Sequence, residues 1–223
     1  MGTLAVNRKG FITGAVASSF ADAHQVSTGV ASDSTSGNQS NCIQYFQSSG
    51  RGSTFRFTRV FLHFDTSGIS AGSSFVLVLT GNTNADANVV ALKHTAGSSA
   101  GGELANADFD NIDRNTPYSS ATAWSTNSQV SMSLNAAAAT QIINNSHFNI
   151  ALIGVEDFNA EEESPLEEDG DISRGIAFNS AINLTYTDAA SGFTHKINGL
   201  ASASIGKINT VATSSIGKVN TVD

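Results

Sequence analysis

Residues 54–79 read TFRFTRVFLHFDTSGISAGSSFVLVL and predict two β-strands connected by turns. The first strand, Thr54 to Phe64, is rich in aromatic and β-branched residues and contains neither Gly nor Pro. Because strand side chains alternate between two faces, this segment has apolar residues on both faces. That pattern is typical of a strand in the middle of a sheet that is covered on both sides.

The two faces of this strand differ in their residues. In the second half of the strand, one face carries the apolar residues Val60, Leu62 and Phe64. The other mixes apolar and basic residues and carries Phe57, Arg59, Phe61 and His63. After a polar turn at residues 65–68, the run from Phe75 to Leu79 predicts a second buried strand.

The part that reads FLHFDTSGISAGSSFVLVL resembles the core of the DNRLRE-type jelly-roll modules, which are β-sandwiches related to carbohydrate-binding modules. In that family, a Leu-x-Phe-Asp strand is followed by a short turn and a strand with alternating apolar residues. The residues that carry the resemblance here are Leu62, Phe64, Asp65, Ile69, Gly72, Phe75, Leu77 and Leu79. The resemblance implies a jelly-roll β-sandwich, without a particular ligand.

The rest of the chain also predicts an all-β protein. Short strands separated by polar turns are expected at Cys42–Gln47, Val89–His94, Gln129–Leu134, Phe148–Val155 and Ile182–Tyr186. One short helix is expected at residues 135–144, where Asn135 precedes four alanines as an N-cap. We therefore expect a jelly-roll β-sandwich with one short helix, a sandwich domain at residues 21–190, an extended N-terminal arm at residues 1–20, and a repeat tail at 191–223. Residues 1–20 could alternatively form an edge strand.

Residues 191–223, which we call the repeat segment, contain units that recur every 11 residues. Lys-Ile-Asn stands at 196–198 and 207–209, and Lys-Val-Asn at 218–220. A fixed period marks an array whose units are too small to bury their apolar residues alone. If the segment is ordered, we expect an assembly interface with other subunits that buries Ile197, Leu200, Ile205, Ile208, Val211, Ile216, Val219 and Val222. A disordered extension is the alternative.

The Ile-Gly-Lys-Ile-Asn-x-Val-Ala-x-Ser pattern of these units is similar to short repeats in structural proteins of tailed phages. The resemblance covers about 30 residues and implies a role in a virion.

Charge and cysteine content exclude several classes of protein. The net charge of −8 argues against nonspecific binding to nucleic acid. A single cysteine excludes an internal disulfide framework and a cysteine zinc cluster. No apolar run reaches the roughly 18 residues of a membrane helix, so we expect no membrane insertion.

Residues 156–171 hold nine of the 19 acidic residues. Clustered carboxylates on a loop can bind Ca²⁺, and the candidate metal ligands are Glu167, Asp169 and Asp171. The simpler interpretation is a solvated acidic loop, and we expect no cofactor. A second acidic group, at residues 108–113, also fits ordinary loop chemistry better than a cation site.

Aromatic residues raise one further possibility. Trp124 and Tyr118 could form a platform on which a sugar stacks, although a core position for Trp124 is the simpler interpretation.

His63 fits a packed position better than a ligand position.

Together, these patterns predict a non-enzymatic structural protein of the phage virion: a capsid decoration, tail fibre or tail-associated subunit. Its partners would be other virion proteins and copies of itself, joined as a homo-oligomer. The alternative is a carbohydrate-binding adhesin module for host-surface glycans. Catalytic residues are not expected, and a glycoside hydrolase is the least supported alternative.

Overall fold

A computed structural model describes most of the chain. The described residues are 1–34, 41–48, 54–83, 87–95, 103–124, 129–161, 172–178, 182–188, 207–208 and 211–212. They form an all-β fold with two antiparallel sheets, which confirms the sandwich predicted from the sequence.

Sheet A, the smaller sheet, has the strand order β1-β13-β6-β10. Its strands are β1 (Gly2–Ala5), β6 (Gly72–Thr83), β10 (Gln129–Ser133) and β13 (Asn183–Asp188). One row of cross-strand partners, Leu4, Leu184, Leu77 and Met132, lies on the face that packs into the core.

Within the described residues, sheet B contains nine strands: β2 (Arg8–Gly14), β3 (Gly29–Ser34), β4 (Asn41–Ser48), β5 (Thr54–Asp65), β7 (Ala87–His94), β8 (Ile112–Pro117), β9 (Thr122–Trp124), β11 (His147–Gly154) and β12 (Ile172–Phe178). The central strand is β5, which pairs with β2, β4 and β11. Strand β12 pairs with both β4 and β6, and so connects the two sheets.

The alternation predicted for β5 is confirmed. Val60, Leu62 and Phe64 are fully buried in the core between the sheets. Phe57 and Phe61 are buried on the opposite face, in a second apolar cluster. Each such side chain contributes about 1.5–3 kcal/mol of stability through burial, so β5 anchors two apolar layers.

The helices cover the sheets. They are α1 (Phe20–His24), α2 (Ala136–Asn144), α3 (Val155–Asn159) and the 3₁₀ helix η1 (Asn106–Asp110). The expectation of a single helix was therefore wrong. The sequence did not predict α1 and α3 because each is too short to leave a periodic apolar pattern. The prediction for α2 is confirmed: the Asn135 side chain accepts hydrogen bonds from the N–H groups of Ala137 and Ala138 at 3.0 and 3.1 Å.

The N-terminal arm predicted for residues 1–20 was also wrong. β1 pairs with β13, and β2 lies between β3 and β5 in sheet B. The abundance of Ala, Ser and Gly with scattered apolar residues suggested an arm. One of these small residues, Gly14, has a packing role, since a Cβ there would come within 2.8 Å of the Phe109 ring. The alternative of an edge strand is correct for β1.

Candidate functional site

A buried ion pair lies on the outer face of sheet B. Arg59, on β5, is fully buried and donates from Nε and Nη2 to the two carboxylate oxygens of Asp157, at 2.7 and 2.9 Å. Its Nη1 donates to the carbonyl oxygen of Phe109 at 2.7 Å, and its guanidinium lies 3.8 Å from the centroid of the Phe109 ring. The bidentate geometry of the Arg59–Asp157 pair is the strongest form of an arginine–carboxylate contact.

Three further side chains complete this cluster. Arg114, on β8, donates to the Asp157 carbonyl and carboxylate at 3.2 and 3.3 Å. His24 Nε2 lies 2.9 Å from the Asp157 carbonyl oxygen, and the Asp110 carboxylate lies 3.3 Å from Arg59 Nη1. Burial lowers the pKa of Arg114, while the charge of Asp157 opposes that shift. The cluster thus ties α1, η1 and α3 to β5 and β8 of sheet B through compensated charges.

The sequence did not indicate this cluster as a unit. Asp157 was grouped with the acids of residues 156–171, yet only 2% of its surface is exposed. The sequence feature that could have indicated the cluster was Arg59, which lies between Phe57 and Phe61 in an apolar strand. A buried cation requires a carboxylate partner.

A pair of histidines lies at one end of the same face. The rings of His63 and His147 are 5.0 Å apart, and His63 Nδ1 lies 2.7 Å from Asn149 Oδ1. Hydrogen bonds from Ser67 lower the pKa of the neighbouring Asp65, with smaller contributions from both histidines. The prediction that His63 is a packed residue agrees with these contacts.

Of the two acidic groups considered as cation sites, the structure describes in full only the one at residues 108–113. Glu167, Asp169 and Asp171 lie outside the described residues, so the binding of Ca²⁺ by these carboxylates stays a prediction. Among the residues that are described, no group of three His, Cys, Asp or Glu side chains could hold a metal ion. In the second acidic group, Asp108 accepts a hydrogen bond from the Ala105 N–H at 2.9 Å and so stabilises the start of η1.

The sugar platform suggested for Trp124 and Tyr118 was wrong, because each is only 1% exposed and both belong to the core. Burial raises the pKa of Tyr118 to about 12. A core position was the simpler interpretation of Trp124, and it is confirmed.

An uncharged groove with a volume of about 520 Å³ lies near the start of α2. Its polar lining includes Ser119, Ser120, Ser133 and Asn135, and Phe158 supplies an aromatic ring. The Ser119 hydroxyl accepts a hydrogen bond from the Ala91 N–H at 3.0 Å, which fixes one wall. A neutral ligand rich in hydroxyl groups would match this lining.

Only two pairs of residues in the repeat segment are described. Strands β14 (Lys207–Ile208) and β15 (Val211–Ala212) pair antiparallel, with Ile208 opposite Val211. Both residues belong to the predicted assembly interface. The other six, Ile197, Leu200, Ile205, Ile216, Val219 and Val222, lie outside the described residues.

Comparison with known proteins gives no family assignment: no protein-family model matches the chain, and no curated protein is significantly similar to it. Within the described residues, no helix is both long and apolar enough to cross a membrane.

Proposed function

We propose that the chain is a structural subunit of a phage virion that works by assembling with copies of itself and with other virion proteins. The observation that carries this proposal is the 11-residue period of the repeat segment. The pairing of β14 with β15 supports it, because a repeat that pairs as strands can also present strand edges to a neighbour.

The sandwich suits this role as a rigid body. Its core is continuous between the sheets, and the Arg59–Asp157 cluster fastens a covering layer to sheet B. A subunit of this kind presents loops on its surface, while terminal segments make the contacts that assemble the particle.

A direct test is to purify particles and measure the number of copies of the chain by quantitative mass spectrometry. We expect many copies per particle, retained through a density gradient. A chain that is absent from the particles, or lost on washing at low salt, would contradict the virion role.

The uncharged groove favours a second candidate function, the binding of host-surface glycans. Sugars are neutral and rich in hydroxyl groups, and the serine and asparagine side chains with Phe158 offer hydrogen bonds and an apolar ring. Glycan-array binding by the purified protein that Phe158→Ala abolishes would favour this function. An array with no signal above background would exclude it.

A further inference from the structure

The outer face of sheet A carries small, uncharged side chains. Two cross-strand rows span its four strands: Thr3–Thr185–Val76–Ser133 and Ala5–Asn183–Val78–Ser131. None of these eight residues is charged, and none carries a large side chain. The face is therefore flat, with a strip of two valines along β6 between flanking hydroxyl, amide and methyl groups.

This face has no cover within the described part of the chain. Thr3, Ala5, Ser131 and Ser133 are exposed. Sheet B, by contrast, carries α1 and η1 on its outer face, where they complete an apolar cluster with β5. The absence of charged side chains is the feature that this face shares with the centres of protein interfaces, which are depleted of charged residues.

The repeat segment supplies a polypeptide that needs such a surface. Eight apolar residues recur along it at the 11-residue step, and a single unit offers too few of them to offset its ordering entropy of roughly 1–2 kcal/mol per residue. In the sequence, the segment follows β13, a strand of sheet A that ends at Asp188.

Charge also favours contact between the segment and the sandwich. Three lysines and one aspartate give residues 191–223 a net charge of +2. Eight basic and eighteen acidic residues give residues 1–190 a net charge of −10. Two sandwiches repel each other, whereas a sandwich attracts a repeat segment.

We propose that the outer face of sheet A binds the repeat segment of a second copy of this chain. The apolar residues of the segment cover Val76 and Val78, and its lysines lie at the rim. The contact joins two different surfaces, so subunits connect head to tail and can extend into an array. This inference rests on the proposed assembly function and identifies the surface through which it acts.

Single charges placed on the face test this contact in the full-length protein. The variants Ser131→Lys and Thr3→Lys each change an exposed residue, on a different strand of the face, and Thr116→Lys, at an exposed position on β8, is the matched control. In sedimentation velocity over a concentration series, we expect each face variant to weaken self-association at least about tenfold, because the added lysine repels the lysines of the segment. The control is expected to match the wild type, and all three variants to melt as the wild type does.

Mixing two defective variants gives the sharper result. Ser131→Lys has a defective face and an intact segment, whereas the double variant Ile205→Asp, Ile216→Asp has an intact face and a defective segment. We expect neither variant to associate alone. We expect the mixture to form a 1:1 complex, because the intact face of one variant can still bind the intact segment of the other.

Three results would overturn the inference: a wild type that stays monomeric at every concentration, face variants that associate normally, or a mixture that stays monomeric. A monomeric wild type whose C-terminal segment is cleaved faster by protease after Ser131→Lys would assign the face to the chain's own segment instead. The virion role fails separately, through absence of the chain from purified particles, and that result would leave the head-to-tail contact standing.

Discussion

Replacing Asp157 should destabilise the fold more than replacing any exposed acid. Asp157→Asn keeps the shape of the side chain but removes the negative charge that compensates Arg59, which is fully buried. Loss of one partner of a buried ion pair costs about 3–5 kcal/mol, because the other charge stays buried and uncompensated. In Asp157→Asn the amide oxygen can still accept one hydrogen bond, so we expect the lower part of that range.

The assay is urea unfolding followed by circular dichroism, with Asp22→Asn as the control. Asp22 lies in the first turn of α1 and is exposed, so its replacement should change the free energy of unfolding by less than about 0.5 kcal/mol. A loss of about 3 kcal/mol corresponds to a fall in melting temperature of roughly 6–12 °C for a chain of this size.

A double replacement separates the ion pair from simple packing. Arg59→Met with Asp157→Leu removes both charges, and we expect it to recover most of the stability lost in Asp157→Asn. The reasoning is refuted if Asp157→Asn unfolds within about 1 kcal/mol of the wild type, or if the double variant is less stable than the single one.

Three further outcomes are expected. Leu62→Ala and Phe64→Ala should each lower the free energy of unfolding by about 2–5 kcal/mol, because both leave cavities between the sheets; an unchanged urea midpoint would mean that β5 does not hold the core. Millimolar Ca²⁺ or a chelator should leave the melting temperature nearly unchanged, whereas a rise of many degrees with Ca²⁺ would make Glu167, Asp169 and Asp171 a metal site. Stability should fall as pH rises from about 10 to about 12, because Tyr118 stays protonated in the folded protein after an unfolded tyrosine would ionise; Tyr118→Phe, followed by the same unfolding assay, should flatten this dependence.

The sequence predicted those parts of the fold whose local pattern agrees with their tertiary role. In β5, alternation alone placed Val60, Leu62 and Phe64 on one face, and the structure buries that face. In α2, Asn135 and the alanines that follow predicted both the start of the helix and its cap. In both cases, the pattern that makes the prediction is contained within a few neighbouring residues.

Features that depend on distant partners could not be predicted in this way. Arg59 and Asp157 are 98 positions apart, and nothing in the local pattern of Asp157 distinguishes it from its acidic neighbours. Strand β2 contains two glycines, and the need for Gly14 becomes clear only when the Phe109 ring packs against it. The sheet A face was missed because Thr, Ser and Val in short strands acquire meaning only when the register aligns them into rows.

The central claim is that assembly depends on the repeat segment while the sandwich folds without it. The measurement that tests it most directly compares the full-length chain with a variant lacking residues 195–223, by circular dichroism and by sedimentation. We predict nearly unchanged circular dichroism and the loss of every species larger than the monomer. A shortened chain that still assembles to the size of the full-length protein would contradict the claim and leave the repeats without a role in assembly.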